Sequence, residues 1–340
     1  MRFTVQTKRK RKEGYNIIVV MLRVICVLIV GFVCFMHVHW NANSNAGVLL
    51  KETFMSKILI RRNGEGWKVN PGSKSEVATL QGYECKWVDF ESTTGKTAKF
   101  CGYPFNDAVT WNIENKKRFH HCNALPQMWQ NAGPKQENSV YLEIGANVGS
   151  CVMEMLLSTD ANIIAFEPHP RNQFAMQKSV EALPQAYQDR FVLVPVALGA
   201  EHGNNTIFAA KGNFGNSVVG KIIKDNKRQQ FEEKEQHQIV VERLSSIISM
   251  NADVPFVKLD AQGFECNILE GMGQDLAKKI RKIKFEVSQT HLRGQGCMDL
   301  LARFRNLGYD IFSEDEKTKI EEGDVNQFNR MVELMAVRKN

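Results

Sequence analysis

Residues 140–149 read VYLEIGANVG, and this stretch decides the fold. Its first five residues have the apolar and β-branched character of a buried strand. Gly145 permits a tight turn, and Gly149 lets the apolar segment that follows pack closely as a helix. A strand, a glycine turn and a helix make up the first half of a βαβ unit. The stretch therefore predicts a parallel sheet with a ligand site at the turn, because ligands bind where such strands end.

Downstream of this unit, short apolar strands continue to alternate with helical segments. Further strands are predicted at 162–166, 191–197, 256–259 and 282–287. Helices are predicted after Gly149 and at 172–183 and 298–307. The remaining elements are a hairpin at 206–210 and 238–242, a charged and solvated loop at 221–237, and final strands at 310–312 and 331–337. The predicted fold is α/β and Rossmann-like, with a mostly parallel twisted sheet and an antiparallel end.

Far upstream, residues 17–36 read IIVVMLRVICVLIVGFVCFM, an apolar run interrupted only by Arg23. About 20 residues at roughly 1.5 Å each cross a bilayer core, so the run predicts one transmembrane helix before the α/β domain. A basic run at 8–12 precedes it, and no further Lys or Arg occurs until Lys51. The positive-inside rule then places the N-terminus in the cytosol and the rest of the chain in a lumen. A cleaved signal peptide, giving a secreted protein, is the competing interpretation.

The charge distribution excludes a nucleic-acid groove on the folded part. The net charge is +7, but residues 1–40 hold seven basic residues against Glu13, so the remainder is nearly neutral. Residues 81–137 are rich in aromatic side chains, as expected of a subdomain or lid. The predicted organisation is a cytosolic tail at 1–14, a signal-anchor at 15–40, a stem at 41–80, a subdomain or lid at 81–137 and the α/β domain at 138–340.

Six of the eight cysteines lie outside the predicted span, an even number that suits an oxidising compartment. A bond among Cys85, Cys101 and Cys122 fits this pattern. Cys151 and Cys266 fall on predicted core helices, where they are interpreted as small buried hydrophobes. His120 and His121 precede Cys122, but without a second ligand pair at zinc spacing they predict surface histidines. Asn204-Asn205-Thr206 is an N-glycosylation sequon.

The turn after the first strand lacks the G-x-G-x-x-G pattern of dinucleotide-binding dehydrogenases. S-adenosylmethionine has no phosphate, so a turn with two spaced glycines and a preceding acid matches it better. The acid is Glu143, expected near the ligand's ammonium group. The turn itself is formed by Gly145, Ala146, Asn147 and Gly149.

Two further strand ends face the same edge of the predicted sheet. Glu167 ends the second strand, 24 residues after Glu143. There a carboxylate can accept hydrogen bonds from both ribose hydroxyls. Ala197 and Leu198 end the third strand, where small apolar residues suit either the edge of an adenine pocket or a buried turn.

The most specific motif is VKLDAQGFE at 257–265, followed by ILEG at 268–271. Together with Glu167-Pro168, Ala197-Leu198-Gly199, Gly215-Asn216-Ser217 and Phe285-Glu286-Val287, it resembles the FkbM-type methyltransferases. The resemblance runs from about residue 140 to 309, half of the chain. It departs from the family at Glu143, where Asp is more frequent. It implies a class I methyltransferase fold that transfers a methyl group from S-adenosylmethionine to a hydroxyl oxygen of a sugar or natural product.

An alcohol needs a base for this reaction, because it is a poor nucleophile until its proton is being removed. Asp260, at the end of the fourth strand, lies where cofactor and acceptor are expected to meet. Glu286, His291 and Glu265 are the other candidates. Each has a structural alternative: Asp260 as a helix cap, Glu265 as a charge at a helix N-terminus, and Glu286 as a partner of the turn at Gln262. No metal ligand is assigned, although neighbouring acids leave a divalent cation open.

The expected function is O-methylation of a sugar hydroxyl on a glycan or glycoconjugate, with S-adenosylmethionine as cofactor. The substrate is inferred from location, since a protein anchored in the Golgi or endoplasmic reticulum through residues 15–40 meets mostly such acceptors. Alternatives are a lipid or small-molecule acceptor at the membrane surface, and a non-catalytic binding module with the same fold. A nucleotide-dependent oxidoreductase is disfavoured because the turn lacks its glycine pattern.

Overall fold

The computed structural model describes residues 82–137, 139–211, 214–220, 231–321 and 331–339. The predicted tail, signal-anchor and stem lie outside the described residues, as does 221–230 of the predicted charged loop. From residue 82 onward, no helix that the structure describes has the length and apolar character needed to cross a membrane.

The described strands and helices follow the chain in this order. The strands are β1 Lys86–Glu91, β2 Thr97–Gly102, β3 Ser139–Ile144, β4 Asn162–Phe166, β5 Phe191–Val194, β6 Ala197–Leu198, β7 Gly203–Ala210, β8 Val218–Val219, β9 Phe231–Glu242, β10 Asp253–Leu259, β11 Ile280–Val287, β12 Tyr309–Ser313 and β13 Val332–Arg338. The α-helices are α1 Ala108–Lys116, α2 Leu125–Gln130, α3 Ser150–Ser158, α4 Pro170–Glu181, α5 Gln185–Gln188, α6 Leu244–Ile247, α7 Glu265–Ala277, α8 Gln289–Gln295 and α9 Leu300–Asn306. Short 3₁₀ helices lie at His120–Cys122 and Phe214–Asn216.

Seven strands form the main sheet in the order β12-β13-β11-β10-β3-β4-β5. The five from β11 to β5 are parallel, and β13 is antiparallel to both β11 and β12. The predicted parallel sheet with an antiparallel end is therefore confirmed. Every residue of β3 is buried, which is why its sequence is a continuous apolar run interrupted by few polar residues.

A second sheet of four strands, β6-β9-β7-β8, stands apart from the main one. The prediction of a single third strand at 191–197 was wrong: residues 191–194 pair with β4, whereas Ala197 and Leu198 pair with β9. Pro195 separates the two pieces, and it has no N–H to continue the ladder. The predicted loop at 221–237 was also wrong in its last part. Residues 231–237 are strand, because their backbone pairs with β7 whatever their side chains.

The N-terminal described segment packs on the main sheet rather than standing alone. Its β1–β2 hairpin lies against α4, where the backbone N–H of Cys101 donates to Oγ of Ser179 at 2.9 Å. Asp107 caps α1 by accepting a hydrogen bond from the N–H of Thr110 at 2.9 Å. Buried aromatic residues of the segment, such as Phe100, share one core cluster with the apolar face of α3.

Three disulfides link Cys85 to Cys101, Cys122 to Cys151 and Cys266 to Cys297. The interpretation of Cys151 and Cys266 as unbonded core residues was wrong. Both are indeed buried, and burial alone does not distinguish a thiol from a half-cystine. The Cys122–Cys151 bond fastens the 3₁₀ helix at His120–Cys122 to the first turn of α3, immediately after Gly149.

Candidate active site

A cleft of about 540 Å³, measured out to its open mouth, lies at the carboxyl ends of β3, β4 and β10. The strand order reverses here, because β3 has β4 on one side and β10 on the other. This is where open α/β sheets bind ligands. The lining includes Gly145 and four polar residues that follow three strand ends, namely Asn147, Glu167, Asp260 and Gln262. An apolar wall faces them, formed by Val196, Ala197, Leu198, Ile207, Phe214, Val219 and Phe264.

The glycine turn brings the ends of β3 and β10 into contact. Gly145 has φ +80°, and a Cβ at this position would overlap the carbonyl oxygen of Asp260. Gly149 has φ +86° and begins α3, where a Cβ would lie 2.6 Å from Cγ of Met176. Of the four predicted turn residues, Gly145 and Asn147 line the cleft, whereas Ala146 and Gly149 shape the turn without lining it. Both glycines are therefore required by their surroundings as well as by their φ.

Asn147 presents an unsatisfied oxygen at the cleft. Its backbone has φ 51°, a left-handed conformation that asparagine tolerates better than most residues. Its N–H donates to Oε2 of Glu167 at 2.7 Å. Its buried side-chain Oδ1 has no hydrogen-bond partner in the part of the chain that the structure describes, so a ligand with a donor group at this point would satisfy it.

Glu167 lines the cleft and is only 4% exposed. Besides the Asn147 N–H, its carboxylate accepts hydrogen bonds from the N–H of His169 at 2.8 Å and from Nδ2 of Asn172 at 3.1 Å. The hydroxyl of Tyr103, from the N-terminal segment, donates in turn to Oδ1 of Asn172. Burial raises the pKa of Glu167 to about 7, although the hydrogen bonds oppose this shift. The carboxylate is thus fixed in direction, as a group that receives ribose hydroxyls needs to be.

Glu143 does not line the cleft. It is 1% exposed, accepts a hydrogen bond from the hydroxyl of Tyr141, and pairs with Nζ of Lys258 at 3.1 Å. Burial opposes the charge on Lys258, but the carboxylates of Glu143 and Asp260 outweigh it and raise the pKa of Lys258. In the described geometry Glu143 pairs with Lys258, which in turn contacts Asp260. A contact between Glu143 and a ligand's ammonium group stays a prediction.

Asp260 lies at the centre of a polar cluster on the β11 side of the cleft. Its carboxylate contacts Nζ of Lys258 at 3.3 Å and accepts a hydrogen bond from Nε2 of Gln262 at 2.7 Å. The side chain of Asp260 is 30% exposed. Nε2 of Gln262 also lies 3.5 Å from Oε1 of Glu286. Burial, together with the charges of Asp260 and Glu265, raises the pKa of Glu286 to about 9, so this carboxyl is neutral near pH 7.

The other predicted site residues occupy different places. Ala197 and Leu198 both lie in the apolar wall. Glu286 stands behind Gln262 and reaches the cleft through it. Glu265 is 2% exposed and accepts a hydrogen bond from the N–H of Ala261 at 2.9 Å, which suits a structural role at the start of α7. His291 lies on α8, and its side chain is outside what the structure describes. Within the described residues, no group of three or more His, Cys, Asp or Glu side chains is arranged to hold a metal ion.

Several cleft residues carried no sequence prediction of their own. These are Asn172, Ile207, Phe214, Val219, Gln262 and Phe264. Gln262 and Phe264 fall inside the quoted motif at 257–265, so their position next to Asp260 was the available signal. Phe214, in the 3₁₀ helix Phe214–Asn216, directly precedes the quoted triplet Gly215-Asn216-Ser217. Asn172 had no comparable signal, because it reaches the cleft from α4.

Residues 143–311 match the family model described as the methyltransferase FkbM domain. Solved structures with some likeness include a methyltransferase domain of METTL16, with 12% identity and a TM-score of 0.36 over 74% of this chain and 86% of that one. An S-adenosylmethionine-dependent O-methyltransferase from Thermotoga maritima has 9% identity and a TM-score of 0.34 over 74% and 77% of the two chains.

The plantazolicin methyltransferase BpumL in complex with SAH has 12% identity and a TM-score of 0.33 over 68% of this chain and 89% of that one. Similarity at this level identifies no acceptor. A search of curated proteins found no match. Through residues 143–311, the chain belongs to the FkbM family of S-adenosylmethionine-dependent methyltransferases.

Proposed function

We propose that this methyltransferase transfers a methyl group to a sugar hydroxyl of a glycan or glycoconjugate in the secretory pathway. The observation that carries the proposal is the position of Asp260. Its partly exposed carboxylate lies in the cleft next to the glycine turn and is held by Lys258 and Gln262. A fixed carboxylate at this place suits deprotonation of a hydroxyl acceptor.

The residues of the cleft fit S-adenosylmethionine in their hydrogen-bonding character. On the side of the glycine turn, Oδ1 of Asn147 is a buried oxygen at the cleft that has no partner among the described residues. An oxygen that can accept a hydrogen bond, together with the carboxylates of Glu167 and Asp260, favours a ligand that has hydroxyl donors and positive charge.

Each part of the cofactor has matching residues. Glu167 would receive the ribose hydroxyls, and the wall containing Val196, Ala197 and Leu198 would receive the adenine. Gly145 and Asn147, which line the cleft at the turn, would receive the amino-acid end. When bound, S-adenosylmethionine supplies a methyl group on a sulfonium, which is already activated for transfer.

The chain's own residues then have two tasks, orientation and proton removal. Asp260 would accept the proton of the acceptor hydroxyl, and a positioned carboxylate of this kind typically contributes about 10²–10⁴-fold in rate. Lys258, only 8% exposed in its side chain, compensates the charge of Asp260 and holds the carboxylate in place from below. Alignment of the hydroxyl with the methyl group contributes further, because orientation alone is worth several kcal/mol.

Three features support a lumenal location for this domain, as in a single-pass type II protein of the Golgi or endoplasmic reticulum. The described residues contain three disulfides, which form and persist in oxidising compartments. The apolar run at 17–36 has its basic residues on the N-terminal side. The sequon at Asn204 provides an acceptor for N-glycosylation, which is confined to the secretory pathway. A secreted form after signal cleavage would keep the same compartment.

The proposal is tested by two measurements on the purified full-length protein. Titration calorimetry with S-adenosylmethionine and with NAD should give saturable binding of the first alone. Transfer of labelled methyl to glycoprotein glycans, glycolipid sugars and sugar-free lipids should then yield product on the first two classes. Asp260→Asn should keep cofactor binding and lower kcat by about 10²–10⁴-fold. Label on sugar-free lipids alone, or unchanged kcat in Asp260→Asn, would overturn the proposal.

A further inference from the structure

Gln262 has an orientation that its neighbours dictate. Its Nε2 lies 2.7 Å from Oδ1 of Asp260 and 3.5 Å from Oε1 of Glu286, so both amide hydrogens face carboxyl oxygens. The reversed amide would set Oε1 against the carboxylate of Asp260 and repel it. Oε1 consequently points away from both acids. This oxygen is buried, the residue is 7% exposed, and no described residue forms a hydrogen bond with the oxygen.

The backbone of Gln262 also has an unusual conformation. Its φ is 52°, and Gln262 is one of four non-glycine residues in the described part of the chain that have a positive φ. Left-handed backbone at a residue that is neither Asn nor Gly is uncommon, and it tends to occur at functional sites. The turn between β10 and α7 thus holds the side chain at the cleft, where Gln262 is one of the lining residues.

The charges around Gln262 favour one orientation of its side-chain amide. Glu286 is flanked by Asp260 and Glu265 on one side and stands opposite Glu333 of β13 in the strand register. The nearest cations are already committed: Lys258 contacts Glu143 and Asp260, and Lys284 contacts Glu314 at 2.8 Å and Glu333 at 2.6 Å. Nε2 of Gln262 can therefore donate to Oε1 of Glu286 and to Oδ1 of Asp260 at the same time.

The order of the strands decides which molecule Gln262 faces. The residues that fit the cofactor lie on the ends of β3 and β4 and in the wall that contains β6. Gln262 is bonded to Asp260 after β10 and to Glu286 on β11, so it lies on the far side of Asp260 from the cofactor residues. An acceptor has to approach the base from that side, because the reacting methyl group lies between cofactor and acceptor.

We propose that Gln262 selects acceptors that carry a second hydroxyl next to the one that is methylated. Oε1 accepts a hydrogen bond from the neighbouring hydroxyl, while Asp260 receives the proton of the reacting one. One amide group and one hydrogen bond of 2.7 Å connect Oε1 of Gln262 to Oδ1 of Asp260. Two diverging hydrogen bonds from hydroxyls on adjacent carbons can span this spacing. The proposal rests on the proposed sugar acceptor and narrows it to vicinal diols.

The test combines one variant with one change of acceptor. Full-length wild type and Gln262→Met are compared on methyl β-D-galactopyranoside and on its four monodeoxy analogues, with kcat and KM measured for each. Methionine has a similar length but accepts no comparable hydrogen bond. In the wild type, removal of the hydroxyl adjacent to the methylated position should lower kcat/KM by about 10-fold, the value of one hydrogen bond. In Gln262→Met, kcat/KM for the parent sugar should fall by a similar factor, and kcat/KM for the analogue that lacks the adjacent hydroxyl should equal that of the wild type.

The other outcomes separate the possible failures. Equal loss on parent and deoxy sugars would show that Gln262 serves structure alone, and would overturn the inference. A raised dissociation constant for S-adenosylmethionine in Gln262→Met would assign Oε1 to the cofactor instead, and this would also overturn the inference. If the wild type methylates glycoprotein glycans or glycolipid sugars but none of the glycosides, a vicinal diol is not what selects the acceptor, and the inference alone fails. If it binds S-adenosylmethionine but methylates no sugar of any class, the proposed sugar acceptor fails as well.

Discussion

The α-carbon of Gly145 lies against the carbonyl oxygen of Asp260, so closely that a Cβ at residue 145 would overlap that oxygen. The N–H of Asp260 also donates to the carbonyl of Ile144 at 3.0 Å. These contacts join the residue that opens the cofactor turn to the residue proposed as the base. Movement of either one therefore displaces the other.

Gly145→Ala should abolish cofactor binding and lower the free energy of unfolding. The new methyl group has to displace the backbone of Asp260, and the φ of +80° adds strain. The matched control is Gly296→Ala, at φ +75° with no atom within 4 Å of the added Cβ. The control should lose only about 1 kcal/mol, the cost of left-handed backbone for alanine, with cofactor affinity unchanged. Chemical denaturation and calorimetry measure both quantities, and equal effects in the two variants would contradict the explanation.

Glu167→Ala should weaken S-adenosylmethionine binding by roughly 10–100-fold, the value of hydrogen bonds to a charged group. The variant also leaves the N–H groups of Asn147 and His169 without their acceptor. Glu181→Ala, which removes a surface pair with Lys178 on the same helix, is the control and should bind normally. Calorimetry at constant pH tells them apart. Normal affinity in Glu167→Ala would remove the ribose assignment.

Glu286→Gln should stabilise the protein increasingly as pH rises. The folded-state pKa of Glu286 is raised from 4.5 to about 9, so between these values the unfolded chain releases a proton that the folded chain keeps. That difference lowers wild-type stability as pH rises, by about 1.4 kcal/mol for each pKa unit before solvent screening. Glutamine retains the neutral acceptor and escapes the penalty. We expect equal stability at pH 4 and a gain of roughly 2 kcal/mol at pH 8.

Glu333→Gln is the control of opposite sign for this measurement. Although burial opposes the shift, His121 and Lys284 lower the pKa of Glu333 to about 2. Its ionised form therefore stabilises the folded state above pH 4.5, and the variant should lose stability there. Urea unfolding at pH 4, 6 and 8 gives both curves. Parallel curves for Glu286→Gln and wild type would show that Glu286 is ionised in the folded protein.

Removal of the Cys122–Cys151 disulfide by paired serine substitutions should lower both stability and cofactor affinity. The bond ends on the first turn of α3, directly after the glycine turn. Loss of the Cys85–Cys101 bond, at the edge of the β1–β2 hairpin, should lower stability alone. Each loss should be about 2–4 kcal/mol. Thermal unfolding and calorimetry distinguish them, and unchanged affinity in the first pair would show that the turn holds its shape without the bond.

N-glycosylation of Asn204 would test the compartment independently of catalysis. Asn204-Asn205-Thr206 is the sole N-x-S/T triplet in the sequence, and Asn204 is exposed on β7. Protein expressed in a eukaryotic secretory host should lose the mass of one glycan on glycosidase treatment. Asn204→Gln should abolish that loss, whereas Asn205→Gln keeps the triplet and should preserve it. Unmodified wild-type protein, with glycosylated control proteins in the same cells, would count against lumenal exposure.

The sequence predicted the main sheet well because its buried strands are strongly apolar. The strand at 162–166 agrees with the structure at both ends, and the final antiparallel strands occur as expected. The third strand was mispredicted at Pro195, where apolar residues continue although the ladder does not. Pairing partners decide such a boundary, and a local pattern does not contain them.

The candidate site was predicted in part for a similar reason. Glu167 and Asp260 could be placed because each directly follows a strand of the main sheet. The partner of Glu143 could not, since Lys258 meets it across two strands that are more than 100 residues apart in the chain. Asn172 depends equally on long-range packing, and no motif marks it.

The break at Pro195 gives the cleft two separately supported halves. Its polar floor belongs to the large sheet and its neighbouring turns, whereas much of its apolar wall, including Ile207 and Val219, belongs to the small one. A change in the small sheet alters the shape of the wall without unpairing any strand that carries Glu167 or Asp260. Substitutions in the small sheet can therefore change how the wall fits the nucleoside while Glu167 and Asp260 keep their positions.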